Sequence, residues 1–150
     1  MKEVNNSMVA LLKINSTKLC KDLINLGVTE RKSLVCKFPN IEEKLIPHFI
    51  RGYFDGDGNI SMTIGEKVTK SFSIVGGAEM LSEISHHLGF YNGYSVKRNE
   101  KIKVINTGDT KRILYIHDYL YDNSTIYLTR KKKSFDLIYK ILMSLYDEES

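Results

Sequence analysis

Residues 48–60 read HFIRGYFDGDGNI, and the hydrophobic period of the chain changes inside this segment. Before the change, apolar side chains recur at the spacing of one helical face; they are Ile46, Phe49, Ile50, Tyr53 and Phe54. After Gly58 the period is two, and a turn at residues 65–67 leads into a second apolar run over residues 68–75. The segment therefore predicts a helix followed by a β-hairpin, whose first strand turns Ile60, Met62 and Ile64 inward.

The two periods alternate along the rest of the chain. Residues 78–88 predict a helix closed by Gly89, residues 94–96 and 102–105 predict a second hairpin, and further helices open near Asp109 and Ser134. Upstream, residues 8–14 are apolar enough for a strand, a helix runs from a Ser16 cap to Gly27, and residues 31–40 form an extended connector. We expect an α+β domain over residues 41–150, an antiparallel sheet of two hairpins covered on one face by helices, after an N-terminal extension and connector over residues 1–40.

The composition is typical of a folded, soluble, intracellular protein. Of 150 residues, 42% are hydrophobic and 27% are charged, which is enough apolar content for a buried core. No uninterrupted apolar stretch approaches the roughly 20 residues that cross a bilayer, so we expect no membrane partner. Cys20 and Cys36 lack a zinc-type spacing and are interpreted as buried thiols, and the four histidines as surface or packing residues.

Positive charge is concentrated in one block. The chain carries a net charge of +4, whereas residues 97–133 contain 10 Lys or Arg and 4 Asp or Glu, a net of +6. Such a block is often only a solvated face. Its place on a predicted hairpin and loop nevertheless indicates a polyanion as a partner to test.

Two glycines stand four residues apart on the predicted helix. Gly52 and Gly56 each cost about 0.5–1 kcal/mol relative to alanine inside a helix, so some interaction must offset them. Close approach of a second helix is one explanation, because an absent side chain lets helix axes come nearer than the usual 8–10 Å. The alternative is that Gly56 lies beyond the helix as its stop, which leaves only Gly52 to explain.

Two aspartates lie at the C-terminal end of the same helix, where the helix dipole disfavours negative charge. A cation bound by Asp55 and Asp57 would remove that penalty, and carboxylate and carbonyl oxygens are ligands that Mg²⁺ prefers. The alternative is a simple turn into the hairpin. A calcium loop is disfavoured, because its sixth position needs glycine and is Ile60 here.

The segment HFIRGYFDGDGNI resembles the signature helix of the LAGLIDADG homing endonucleases. The order of helices and hairpins over about residues 41–146 is similar to that family's core domain, and residues 127–131 add a basic stretch that is consistent with it. Residues 1–40 are similar to the closing strand and helix of a preceding domain, as in two-motif members, although this sequence has no first motif.

The resemblance implies roles for individual residues. Two signature helices would pack in an isologous homodimer through Gly52, Tyr53 and Gly56, bringing two copies of Asp57 together to bind Mg²⁺ or another divalent cation. The backbone carbonyl of Gly56 would also bind the metal, and Asp55 would cap and support the helix junction.

Two further positions near the implied active site bear on the resemblance. Lys131 falls near the family's basic residue, with a role in water activation or charge stabilisation; simple phosphate contact within residues 130–133 is the alternative. The family often has a glutamine near the end of the second strand, whereas this chain has Val75, Gly76 and Gly77 there. Water would then organise that side of the site, or activity would be weaker.

The resemblance also implies that the sheet face turned away from the helices binds double-stranded DNA. Alternation assigns to that face the residues Asn59, Ser61, Thr63, Lys67, Lys70, Ser71, Ser73, Lys97, Lys101 and Lys103, and Arg130 joins them as a basic contact. The chain is thus expected to be a metal-dependent, site-specific endonuclease of an intron or intein mobility type, catalytic through Asp57 and Lys131. The alternatives are a DNA-binding protein of this fold without cleavage, or a fragment of a two-motif enzyme.

Overall fold

The computed structural model describes residues 13–28, 36–90 and 102–148, with side chains as far as residue 145. Within these ranges a 3₁₀ turn over Glu43–Leu45 precedes the main helix, and the elements follow in the order α1 (Thr17–Asn25), α2 (Ile46–Asp57), β1 (Gly58–Thr63), β2 (Thr69–Gly77), α3 (Ala78–His87), β3 (Ile102–Thr107), α4 (Thr110–Tyr121) and α5 (Thr129–Glu148). The predicted strand over residues 94–96, residues 8–12 of the predicted strand over residues 8–14, and the first part of the connector lie outside the described residues, as do Lys97 and Lys101. Residues 13 and 14 are described and do not lie in a strand.

The helix–hairpin junction predicted from residues 48–60 is confirmed. Helix α2 begins with Pro47 in its first turn, where a missing N–H removes no helical hydrogen bond. It ends at Asp57 because Gly58 takes an extended conformation. A Cβ on Gly58 would lie 2.1 Å from Cδ2 of Phe54 and 2.7 Å from the Phe54 carbonyl oxygen, so this tight junction requires glycine. Asp57 is thereby fixed where the helix meets the sheet.

Strand β2 lies between β1 and β3 and pairs antiparallel with both. Phe72 and Ile74 of β2 are fully buried, and Ile105 of β3, paired with Ile74, is 2% exposed. The core on this face includes buried side chains from four helices: Ile50 and Phe54 of α2, Met80, Leu81 and Ile84 of α3, Ile113, Ile116 and Leu120 of α4, and Phe135, Ile138 and Leu142 of α5. Burying each such side chain contributes about 1.5–3 kcal/mol. The predicted α+β class with helices on one face of the sheet is confirmed.

A polar cluster joins α4 to α5. The imidazole of His117 stacks on Tyr139 at 4.0 Å between centroids, and its two ring nitrogens lie 3.0 Å from Asp118 Oδ1 and 2.9 Å from Asp136 Oδ1. The Lys132 ammonium donates to both carboxylate oxygens of Asp136, at 2.7 and 2.9 Å. Burial alone would raise the pKa of Asp136, but the hydrogen bonds and positive charge of Lys132 and His117 lower it below its usual value. His117 is therefore a packing residue, as expected.

Three expectations about elements or burial are wrong. Helix α5 begins at Thr129, five residues before Ser134, so Arg130 and Lys131 lie on a helix and not in a loop. Ile64 does not pack inward, because β1 ends at Thr63 and Ile64 is 67% exposed in the hairpin turn. Cys20 is exposed on α1, and Cys36 is only half-buried.

Helix α1 forms as predicted but is not covered by the described domain. Ser16 accepts a hydrogen bond from the backbone N–H of Leu19, and Gly27 ends the segment with a φ of 88°. Its apolar stripe is exposed, with Leu19 at 40% and Leu23 at 39%. No helix among the described residues is both long and apolar enough to cross a lipid bilayer.

Candidate active site and nucleic-acid interface

The two aspartates at the end of α2 have different surroundings. Asp57 is exposed at the last helical position. Asp55 is half-buried, and its Oδ2 accepts a hydrogen bond of 2.8 Å from the backbone N–H of Leu128. Leu128 ends the α4–α5 connector (residues 122–128) and immediately precedes α5. Asp55 therefore satisfies one free N–H at the start of α5, where its negative charge is also favoured by the helix dipole.

The second carboxylate oxygen of Asp55 is buried without a hydrogen-bond partner among the described residues. A buried carboxylate oxygen left unpaired is unfavourable, so such an atom in a native site indicates a further polar partner. The hydroxyl of Tyr121 is likewise buried without a partner there. Burial and the negative charge of Asp55 raise the pKa of Tyr121, with the positive charge of Arg51 opposing them. Tyr121 therefore remains a neutral phenol beside the α2 carboxylate.

Lys131 is buried beneath the end of α2. Its side chain lies 5.0 Å from the centre of the Phe54 ring, and only 8% of the residue is exposed. The ammonium donates to the backbone carbonyls of Phe54 and Gly58, at 2.6 and 2.5 Å. Burial and the neighbouring Arg130 lower the pKa of Lys131, while Asp55 and Asp57 raise it in part. The cation thus neutralises the negative end of the helix dipole next to Asp57.

The buried position of Lys131 bears on both hypotheses for this residue, which are water activation or charge stabilisation and simple phosphate contact. A buried ammonium that holds two carbonyls is unlike the solvated side chain that simple phosphate contact requires. It lies at the helix end that carries Asp57, which is where water activation or charge stabilisation would need a cation. Arg130, by contrast, is exposed, and with Asn59, Ile60, Lys131 and Ser134 it lines a depression of about 220 Å³ between β1 and α5.

Arg51 is a site residue that the sequence prediction missed. It belongs to the buried face of α2 and is 6% exposed. Its Nε donates to the carbonyl of Ile126 at 2.8 Å, and its Nη1 donates to the carbonyl of Leu120 at 2.9 Å. The same Nη1 lies 2.9 Å from His48 Nδ1. The signal available in the sequence was a charged residue directly after Ile50, next to the apolar stripe of the helix.

The glycine face of α2 is open. Gly56 lies within α2, so the alternative that it follows the helix is wrong. No atom outside the local helix turn, among the described residues, lies within 4 Å of a Cβ built on Gly52 or Gly56. Beside them is a cavity of about 490 Å³, whose lining includes Phe49, Asp57, Val75, Met80 and Val28. Among the described residues, nothing packs where a side chain on either glycine would stand.

Tyr53 lines one side of this cavity, and its position requires glycine at residue 76. A Cβ on Gly76 would lie 2.1 Å from the Tyr53 hydroxyl oxygen, so the tyrosine passes over the strand only because this residue is glycine. Burial, then the charges of Asp57 and Cys36, raise the pKa of Tyr53. The Tyr53 hydroxyl therefore keeps its proton. Tyr53 therefore packs directly over Gly76, near the end of β2.

The sheet register determines which predicted contact residues share a face. Asn59 pairs with Ser73 and Ser61 pairs with Ser71, and these four lie on the face opposite Phe72 and Ile74, together with Thr63 and Thr69. Asn106, paired with Ser73, joins them and accepts a hydrogen bond of 3.0 Å from the Ser71 hydroxyl. The prediction missed Asn106 because it ended the third strand at Ile105. Lys67 is exposed in the hairpin turn.

Two lysines are not on that face. Lys70 pairs with Met62 and stands two residues before buried Phe72, so it lies on the helix side of the sheet. Lys103 stands two residues before buried Ile105 and pairs with Gly76, whose missing side chain would point at Tyr53. Their predicted place on the outer face is wrong, because the buried residues fix the alternation of each strand.

The oxygen donors at the end of α2 are of the type that a hard divalent cation prefers, but they are too few to form a complete ligand set. Asp55 offers a buried unpaired oxygen, Asp57 offers an exposed carboxylate, and both are oxygen donors of the type that Mg²⁺ prefers. Residues 13–28, 36–90 and 102–148 contain no group of three or more His, Cys, Asp or Glu side chains that could hold a metal ion. One copy of this site therefore supplies part of a ligand set.

Comparison with known proteins identifies the fold. No protein-family sequence model and no curated protein sequence matches the chain. Among solved structures, the homing endonuclease I-CvuI in complex with its target aligns with a TM-score of 0.56 and 20% identity, over 71% of each chain. The archaeal intron-encoded homing endonuclease I-Vdi141I complexed with DNA aligns with a TM-score of 0.59 and 19% identity, over 71% of this chain and 72% of that one.

A longer relative shows the same fold. The LAGLIDADG homing endonuclease I-GzeII, solved with its DNA target, aligns with a TM-score of 0.54 and 26% identity over 69% of this chain. The aligned part is only 37% of the I-GzeII chain. In some solved structures the aligned part makes up most of the chain, as in I-CvuI and I-Vdi141I. In others, such as I-GzeII, it makes up less than half. At the level of the fold, the resemblance drawn from residues 48–60 is confirmed.

Proposed function

We propose, from the premise that this chain has the fold of the LAGLIDADG homing endonucleases, that it is a metal-dependent, site-specific endonuclease for double-stranded DNA that acts as a homodimer. The observation that carries the proposal is the open face of α2, where Gly52 and Gly56 meet no neighbour in the described chain while the helix ends at Asp57. A second copy of α2 packed there would offset the two glycines and bring a second Asp57 to the first.

Asp57 is the proposed catalytic and metal-binding residue. Its exposed carboxylate supplies anionic oxygen at the end of a helix whose direction is fixed by the Gly58 junction. Asp55 and the carbonyl of Gly56 are the other oxygen donors from the same turn. Bound there, Mg²⁺ or another divalent cation supplies activated water and a polarised phosphate for phosphodiester hydrolysis. Two I-CvuI complexes with DNA were solved in the presence of Ca and of Mg, which supports a divalent cation as the class of cofactor.

Lys131 is the proposed basic residue of this site. Its ammonium is held by the carbonyls of Phe54 and Gly58, within the turn that carries Asp57. A cation fixed in that place stabilises negative charge that develops on a phosphate and needs little rearrangement to do so. Its lowered pKa makes proton transfer at the ammonium less costly than for a solvated lysine.

The outer face of the sheet is the proposed DNA-binding surface. Asn59, Ser61, Thr63, Ser71 and Ser73 form its polar rows, and Asn106 extends them onto β3. Hydroxyl and amide groups of this kind can read base edges from the major groove. Lys67 at the hairpin tip and Arg130 beside β1 are placed to contact phosphates. Two copies related by a twofold axis would read a near-palindromic site.

The deciding experiment offers the protein a library of randomised DNA duplexes in Mg²⁺ and sequences any cleaved ends. We expect cleavage at one recurring site, and Asp57→Asn should abolish it while duplex binding persists. Glu83→Gln is the matched control, because it also exchanges an exposed carboxylate for an amide, on α3 and outside the proposed site. Retarded complexes without cleavage by the unmodified chain would favour a DNA-binding protein of this fold.

The length comparison supports one alternative. Because the fold matches only 37% of I-GzeII, the chain is also compatible with half of a two-motif enzyme. Sedimentation with and without duplex DNA separates the two: a dimer on DNA supports the homodimer, whereas a strict monomer supports the half-enzyme.

A further inference from the structure

Arg51 is a buried cation that the proposed chemistry does not use. It is 6% exposed, and taking a guanidinium out of water is unfavourable unless its donors are satisfied. Two of its hydrogen bonds go to backbone carbonyls 69 and 75 residues away along the chain. Apolar side chains would fill the same space without this penalty, so the contacts of Arg51 are expected to serve more than packing.

Arg51 and Asp55 stand one turn apart on α2 and hold the same stretch of backbone. Arg51 donates to the carbonyl of Ile126, and Asp55 accepts from the N–H of Leu128, both at 2.8 Å. A donor and an acceptor on one rigid helix thus fix two backbone groups that lie two residues apart in the α4–α5 connector. The third contact of Arg51, with the carbonyl of Leu120, fixes the end of α4 from which the connector starts.

The connector leads directly into the residue that returns to α2. Lys131 lies three residues after Leu128, in the first turn of α5, and its ammonium reaches the carbonyls of Phe54 and Gly58. Arg51, Asp55 and Lys131 therefore form consecutive contacts between α2 and the segment from residue 126 to residue 131. A shift of the connector would move both the Asp55 contact and the Lys131 contact.

We propose that Arg51 is a positioning residue of the active site, which holds the α4–α5 connector against α2 and thereby sets Asp55 and Lys131 beside Asp57. The part of this inference that concerns catalysis rests on the proposed function. Arg51 itself does not face the end of α2 where the phosphate would bind. Its effect on the reaction passes through the placement of the other two side chains, where a displacement of about 1 Å can lower a rate about a hundredfold.

The test compares Arg51→Met with Arg112→Met in the full chain. Arg112 is a matched control, because its guanidinium also donates to a loop carbonyl, that of Gly89, and lies 4.6 Å from the centre of the Phe90 ring. Arg51 is buried and Arg112 is half-buried, and each holds a loop, so both substitutions should lower the free energy of unfolding. Only Arg51→Met should make the Leu128 amide exchange its hydrogen about three- to tenfold faster relative to core amides.

Activity provides the second measurement, under single turnover on a duplex recovered from the library. Arg51→Met should lower the cleavage rate about ten- to a hundredfold with duplex affinity unchanged, and Arg51→Lys, which keeps the charge, should recover part of both effects. Unchanged Leu128 exchange in both Arg51 variants, or an equal change in Arg112→Met, would overturn the proposal. If the unmodified chain does not cleave, the proposed function fails, while the exchange measurement still decides whether Arg51 places the connector.

Discussion

Replacing Gly52 by alanine should stabilise the separated chain and weaken its pairing. Alanine is favoured over glycine inside a helix by about 0.5–1 kcal/mol. The new methyl group meets no atom of the described residues within 4 Å outside its helix turn, so none of these residues opposes this gain. Urea denaturation at a concentration where the protein is monomeric should therefore show a free energy of unfolding higher by about that amount.

In the proposed twofold dimer the same methyl group would occur twice, at the point where the two α2 helices would approach each other most closely. Overpacking a tight contact costs about 1–3 kcal/mol per site, so the dissociation constant from sedimentation equilibrium should rise at least tenfold, since about 1.4 kcal/mol corresponds to one factor of ten. Gly56→Ala should behave alike, and Gly65→Ala, in the open hairpin turn, is the control with no effect on pairing. Unchanged pairing in both α2 variants would refute the reasoning.

Three further changes test other contacts of the site. Gly76→Ala should destabilise the fold by about 1–3 kcal/mol in urea denaturation, because its Cβ overlaps the Tyr53 hydroxyl, and Tyr53→Phe should restore part of the loss; no loss would contradict the packing. Lys131→Met should lower the free energy of unfolding by about 1–3 kcal/mol and remove most of the cleavage rate, because the carbonyls of Phe54 and Gly58 lose their donor. An unchanged free energy of unfolding would exclude the capping contact. The pKa of Asp136 is lowered in the folded state, so the stability that this carboxylate contributes is present above the usual pKa of 3.8 and is lost as the pH falls below it. Asp136→Asn should therefore be less stable than the unmodified chain near neutral pH, and the two stabilities should converge in acid.

Periodicity predicted most of the described elements, because the residues that repeat are those that pack. The stripe from Ile46 to Phe54 and the alternation after Gly58 each report burial against the same core. The start of α5 could not be predicted in this way. Residues 129–133 carry no apolar stripe, and the helix begins there because Asp55, 73 residues earlier in the chain, accepts from the Leu128 N–H.

The sequence predicted those parts of the candidate site whose residues lie together in one short motif. It did not predict the parts that depend on contacts with backbone groups far away along the chain. Gly52, Gly56 and Asp57 stand in one short segment, so their common helix could be inferred from the sequence. Two partners of Arg51 are the backbone carbonyls of Leu120 and Ile126, which any residue type would provide. The faces of Lys70 and Lys103 depended on the register, which the buried neighbours Phe72 and Ile105 fix.

The open glycines of α2 also bear on how such a chain evolves. A single base change turns a glycine codon into an alanine codon, and for a copy that had stopped pairing this change would be an immediate gain in stability. In a chain that pairs as proposed, selection for thermal robustness and selection for assembly would therefore act in opposite directions at Gly52 and Gly56. A lineage released from the second pressure should accumulate alanine at these two positions before it loses anything else.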